Sequence, residues 1–231
     1  MKTFLKIAEP VMLALVLVIL IICAVLKFQN NALILAVIAF MSFVPFAVSF
    51  EKRRPKPAEI MPIVVLTAIA VVGRVIMTPI PNFQPVSALV VFTGIFFGRR
   101  SGYLMGAFTA LISDMMLGMG PWLPWQMYGW GVMGYFAGVL ADRGAFGKGR
   151  TWAVFLYGIA SSAFYGLMLD TWFIIGFVSD ITPVTAAAAY AAGIAMNISH
   201  IISTVVFLSL TYVPWGRKIR RIKIKYDMIS N

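Results

Sequence analysis

The fold class predicted by this sequence is an all-α integral membrane protein of eight spans with both termini on the cytoplasmic side. Three observations predict it. The composition is 61% hydrophobic and only 12% charged, with a mean hydropathy of +0.92, and the apolar residues collect in runs about as long as a bilayer is thick. The cations fall in the gaps between those runs. They also fall almost entirely on one side of the topology that the runs define.

The first run, Val11 to Leu26, follows a short basic start. It is long for the apolar part of a signal peptide and no small-x-small cleavage site follows, so a retained span is expected. Lys27 to Asn31 reads as a polar hairpin and Ala32 to Phe50 as the second span, completing an N-terminal helix pair over residues 1–50. Residues 51–59, EKRRPKPAE, carry four cations and two prolines and read as a basic cytoplasmic linker. A six-span core is expected over residues 60–213, with spans near Ile60 to Met77, Pro85 to Gly98, Ser101 to Gly118, Trp122 to Ala141, Trp152 to Val178 and Val184 to Val213. The second is short for a full crossing, whereas the last two are long enough to tilt or to project beyond the hydrocarbon. Residues 214–231 form a basic tail suited to anionic lipid headgroups.

The distribution of charge tests this count. Lys2 and Lys6, the four cations of Lys52 to Lys56, Arg99 and Arg100, the three of Arg143 to Arg150 and the six of Arg217 to Lys225 make 17 of the 19 cations, and all fall on one side. Lys27 alone lies opposite, and Arg74 is inside a span. An odd number of spans scrambles this asymmetry. It therefore supports eight spans in a cell membrane. The net charge of +11 has the same membrane explanation, which removes the reason to invoke nucleic acid. The single cysteine, Cys23, lies in an apolar run and has no internal partner for a disulfide.

Gly94, Gly98, Gly102, Gly106 and Ala110 recur every four residues, and Gly134 and Gly138 repeat the spacing on the next span. Such a stripe lets another helix approach closely, either within the bundle or in a second subunit. Polar residues inside the spans are more informative, because an ionisable group in hydrocarbon is costly unless paired or wet. Measured from the predicted outer turns at about 1.5 Å per residue, Arg74 lies roughly 7 to 8 Å deep, Asp114 and Gln126 about one turn deep, and Asp170 about 13 Å deep. All four are then in the outer half, on four different helices. Arg74 would pair with Asp114 or Asp170, either as a purely structural tie or leaving the other carboxylate and Gln126 for a ligand. The same measure places Asn197 and His200 roughly 21 and 25 Å below Pro183, in the inner half, where His200 reads as a helix-to-helix hydrogen-bonding residue.

No catalytic constellation is present. Gly-x-Ser-x-Gly, His-Glu-x-x-His and Walker motifs are all missing, and one histidine and one cysteine make no metal or haem site. The protein is expected not to be an enzyme, with no intrinsic cofactor. If ATP powers it, another chain supplies the ATPase.

A family resemblance rests on Ala68-Ile-Ala-Val-Val-Gly-Arg74, on Pro81-Asn-Phe-Gln-Pro85, on the glycine ladder, on Ser113-Asp114, and on Gly118-Met-Gly-Pro-Trp-Leu-Pro-Trp-Gln-Met127 followed by Gly129-Trp-Gly131. Over about Ile60 to Val213 the chain resembles the substrate-binding S component of energy-coupling factor (ECF) vitamin transporters. The resemblance implies a six-helix core that captures a vitamin or cofactor precursor from outside. It also implies lateral docking on a transmembrane coupling subunit that carries two cytosolic ATPases. In the family, docking uses an alanine-x-x-x-alanine face on the first core helix. Here Ala68 matches but Val72 stands fourth after it, with Ala70 and Gly73 as the nearest small alternatives. The helix pair before the core is extra to the family pattern.

The expected binding site has Asn82, Phe83 and Gln84 as a lid, Trp122, Trp125 and Trp130 as stacking walls, and Arg74, Asp114, Gln126 and Asp170 as polar anchors. Resemblance to members linked with that ligand makes cobalamin or another corrinoid the first expected ligand. An aromatic entrance of Phe83, Trp122, Trp125 and Trp130 suits a flavin or a pterin equally. Two other readings remain: a self-sufficient proton-coupled secondary transporter, and a ligand-free structural membrane subunit.

Overall fold

The computed structural model describes residues 2–27, eight positions between 37 and 51, 57–147 and 149–225. Among the described residues the regular structure is entirely helical: α1 (Lys2–Val25), α2 (Pro57–Ile76), α3 (Val86–Phe97), α4 (Arg99–Leu117), α5 (Leu123–Asp142), α6 (Thr151–Phe177) and α7 (Pro183–Lys225). The six core helices thus begin and end within a few residues of the predicted spans, save that α7 continues through Pro214 into the basic tail. The second predicted span, Ala32 to Phe50, lies largely outside the described residues; positions 37, 41, 43, 46–48 and 50 are helical. By length and hydropathy, α6 and residues Pro183–Gly216 of α7 are each able to cross a bilayer, and the apolar parts of α1, α2 and α3 are shorter.

The glycines explain how the centre is built. α4 and α5 pack most extensively, with α3 against both, α2 against α3 and α4, and α7 against α6 and α3. A methyl group at Gly94 or Gly102 would overlap the Gly134 carbonyl, one at Gly134 would overlap the Gly102 carbonyl, and one at Gly138 would overlap the Arg99 backbone. Of the two uses open to the glycine stripe, internal packing is the one observed. Without side chains, three helices approach backbone to backbone. Gly98 makes the whole turn between α3 and α4 by itself. Its φ of 90° is a conformation that L side chains rarely adopt.

That turn places Arg99 and Arg100 in the first turn of α4, where they meet an unexpected acid. Glu9 of α1 is buried, forms an ion pair with Arg99 (2.9 Å) and accepts hydrogen bonds from Arg100 Nε (2.6 Å) and the Tyr135 hydroxyl (3.0 Å). The two arginines are therefore structural partners as well as topology signals. Phe46 stacks on Tyr103 at 3.7 Å and Tyr128 donates to the Leu13 carbonyl at 3.3 Å, so the extra N-terminal segment is tied to the core through both α4 and α5.

Helix lengths determine where the site sits. The Asn82 amide reaches the Met196 carbonyl (3.4 Å), and the Ser199 hydroxyl donates to the Pro81 carbonyl (2.7 Å). Ser203 accepts from the Gln84 backbone N–H (2.7 Å) and donates to its carbonyl (2.6 Å). The loop between α2 and α3 therefore meets α7 some 13 to 20 residues past its start, roughly 20 to 30 Å along the helix. This corrects the depth assigned to Asn197 and His200. They lie level with that loop rather than in the inner half, because the outer turns are not at one height and the α6–α7 pair extends well past the others.

Candidate functional site

Arg74, Asp114 and Gln126 occupy helix ends that open toward the α2–α3 loop: the last turns of α2 and α4 and the first turn of α5. Gly118, with φ 113°, ends α4 just after Asp114, and Pro124 sits at the start of α5 where a missing N–H costs nothing. These chain reversals bring the three side chains together. Arg74 Nη1 donates to Asp114 Oδ1 at 2.6 Å and to the Ser113 hydroxyl, and Nη2 donates to Gln126 Oε1 at 3.0 Å. Its guanidinium carbon also lies 5.0 Å from the centre of the Trp130 ring, within cation–π range. Asp114 is 1% exposed, and its second oxygen, Oδ2, is buried beside Trp122.

Next to this cluster is a cavity of about 180 Å³ lined by Arg74, Met77, Thr78, Ile80, Asn82, Gln84, Leu117, Gln126, Tyr165 and Leu169. Arg74, Asn82, Gln84 and Gln126 were singled out from the sequence as site residues. Asp114 and Trp130 support it from behind, through Arg74. Phe83 packs instead against Phe207, with ring centres 5.6 Å apart, and Trp125 is buried outside the lining. Trp122 sits over Gly120 at the start of α5, next to the Asp114 carboxyl.

Asp170 does not join Arg74. Its Oδ2 accepts from Asn197 Nδ2 at 2.7 Å, in a contact between α6 and α7, one residue before a Thr171–Tyr190 hydroxyl pair of 2.8 Å. Rotation about the helix axis decides this: Asp170 faces α7, whereas the neighbouring Leu169 lines the cavity. Tyr165 was missed for a related reason. An isolated tyrosine on an apolar helix carries no sequence signal beyond its position one turn before Leu169 on the same face. Among the described residues no three His, Cys, Asp or Glu side chains cluster as metal ligands.

The candidate docking residues separate by face. Ala70 is fully buried, and a Cβ at Gly73 would overlap the Pro85 ring. Ala68 and Val72 share the outer face of α2, Val72 being 53% exposed, and line an apolar groove of about 550 Å³ with Ala47, Phe50, Leu104 and Phe108.

Comparison with protein families decides the class. The model of the family described as ECF-type riboflavin transporter, S component, matches residues 56–213. The chain belongs to this family. As an S component it is the substrate-binding subunit of an ECF transporter, in a family that contains transport proteins rather than enzymes. The match begins within the basic linker and ends at Val213, leaving α1 and the rest of the N-terminal pair outside it. No curated protein and no solved structure matches the chain with significance. S components act with a transmembrane coupling subunit and ATPases, and the vitamin they carry is a ligand rather than a resident cofactor.

Proposed function

We propose that this S component captures riboflavin, or a flavin precursor close to it, from outside the cell membrane and delivers it inward with a coupling subunit and two cytosolic ATPases. The observation that carries the substrate is the cavity beside Arg74, read together with the family's description. Tyr165 and the aliphatic side chains of Met77, Ile80, Leu117 and Leu169 provide surface for a flat ring system. Asn82, Gln84 and Gln126 offer amide donors and acceptors for an imide edge or for hydroxyls. The Arg74 charge is already balanced by Asp114 at 2.6 Å. A neutral polar ligand suits such a site better than a phosphorylated one, whose charge would face the Asp114 carboxylate.

Cobalamin, expected first from the sequence, loses its support. The family's description names riboflavin, and the cavity of about 180 Å³ would have to open much further for a corrinoid with its nucleotide loop than for a flavin. Riboflavin also exceeds that volume, so the loop between α2 and α3 is the wall that must yield to admit it. Asn82, Phe83 and Gln84 remain its lid residues in this reading, and Ala68 with Val72 the face offered to the coupling subunit. Eight spans with cytoplasmic termini complete the arrangement.

Mass spectrometry of small molecules released from the gently purified chain tests the substrate, with cells grown with and without added riboflavin and, separately, cobalamin. Stoichiometric flavin supports the reading. A corrinoid, or a folded protein that retains nothing and leaves riboflavin fluorescence unquenched on titration, overturns it.

A further inference from the structure

A buried chain of contacts runs from Arg74 through four other helices. Trp130 on α5 is fully buried, and its indole N–H, which can only donate, reaches the Ser87 hydroxyl on α3 at 3.1 Å. Ser87 is equally buried, and its oxygen lies 2.6 Å from His200 Nε2 on α7. With one lone pair accepting from Trp130, the Ser87 hydroxyl has its hydrogen and a second lone pair for the imidazole, and the tautomer of His200 sets which of the two meets Nε2. Tyr165 on α6 stacks on Trp130 with ring centres 5.0 Å apart and an interplanar angle of 14°, and it meets His200 edge-on at 4.9 Å.

Of the two rings held in this way, one backs Arg74 and the other lines the cavity. Trp130 lies under the Arg74 guanidinium and Tyr165 lines the cavity itself. We infer that His200 and Ser87 are positioning residues for the binding site, holding the Trp130 and Tyr165 rings at the orientation that sets the Arg74 guanidinium against its ligand. This rests on the reading of the Arg74 cavity as the flavin site. It assigns a role to the one histidine of the chain, which neither lines the cavity nor touches Arg74.

The fully buried indole explains why a distant residue matters. The Ser87 hydroxyl is the acceptor its N–H meets, so losing that oxygen or its orientation obliges the ring to turn toward another acceptor or to leave its N–H unpaired. Either response moves the aromatic face beneath Arg74. A hydrogen bond that merely tied α3 to α7 would leave that face where it is.

The test uses the ligand-free full-length protein in detergent, labelled with ¹⁵N. Indole N–H and arginine Nε–H resonances are assigned with Trp130→Phe and Arg74→Lys. Ser87→Ala and His200→Leu are expected to shift the Trp130 indole and the Arg74 resonances together. His200→Gln, whose side-chain amide can accept or donate where Nε2 did, is expected to leave both near the parent positions. Riboflavin affinity should fall by roughly fivefold to tenfold in Ser87→Ala and His200→Leu, the worth of about one hydrogen bond. In a Trp130→Phe background, Ser87→Ala should add little to the loss already present.

An unmoved Arg74 resonance in Ser87→Ala, the smallest of these changes, overturns the inference, as does a His200→Gln protein as impaired as His200→Leu. A parent chain that does not bind riboflavin removes the substrate reading alone. The Arg74 resonance still decides the positioning role in that case.

Discussion

Replacing Arg74 by Met separates an arginine that holds the bundle together from one that also holds a ligand. In the parent protein Arg74 satisfies Asp114 Oδ1 at 2.6 Å and Gln126 Oε1 at 3.0 Å, while Asp114 is 1% exposed. Removing the guanidinium leaves a buried carboxylate with no counter-charge, a loss of about 3 to 5 kcal/mol in stability. Asp114→Asn in the same chain removes the orphaned charge. The double variant should recover most of that stability, since a neutral amide in place of the ion greatly reduces the desolvation penalty. Riboflavin affinity should not recover with it. A lost hydrogen bond from a charged donor is worth about 1.5 to 3 kcal/mol, so the dissociation constant should remain raised by roughly tenfold to a hundredfold. Thermal unfolding in detergent reads the first quantity and quenching of flavin fluorescence the second. A double variant that regains parent affinity refutes the assignment of Arg74 to the ligand and leaves it a structural tie.

Three further expectations follow from the geometry. Glu9→Gln strips the counter-charge from Arg99 and Arg100 and should cost about 2 to 3 kcal/mol, below the full penalty for a buried pair because the Arg99 side chain is 26% exposed; an unfolding midpoint equal to the parent's would show that α1 is not held by this cluster. Gly134→Ala puts a methyl group into the Gly102 carbonyl and should destabilise the α4–α5 pair by at least about 1 to 3 kcal/mol, whereas Gly147→Ala, whose added carbon meets only the Gly144 oxygen at 3.4 Å, should be close to neutral in the same assay. Ser203→Ala deletes both bonds to the Gln84 backbone and should speed riboflavin release severalfold, at about 1 kcal/mol per bond, with little change in association; stopped-flow dissociation at the parent rate would mean that Ser203 does not hold the loop.

Much of this protein was determined by the sequence alone, for reasons tied to the membrane. Apolar runs and turn residues located the six core helices to within a few residues, because a chain in hydrocarbon satisfies its backbone within each helix and must break where polarity returns. The same reasoning brought Arg74, Asp114 and Gln126 to one level, since depth along a helix follows from counting residues to its end. Rotation about each axis, and the heights of the helices relative to one another, came only from the tertiary structure. These depend on which faces pack. Packing of α2 against α3 and α4 turns Ala70 inward and Val72 outward, Asp170 looks toward Asn197 instead of Arg74, and a 43-residue α7 carries His200 up to the loop it was expected to lie far beneath. Glu9 is the clearest case. Its partners lie far along the chain, Arg100 by 91 residues and Tyr135 by 126, and a lone acid at the start of a span acquires meaning only when the fold brings Arg99, Arg100 and Tyr135 around it.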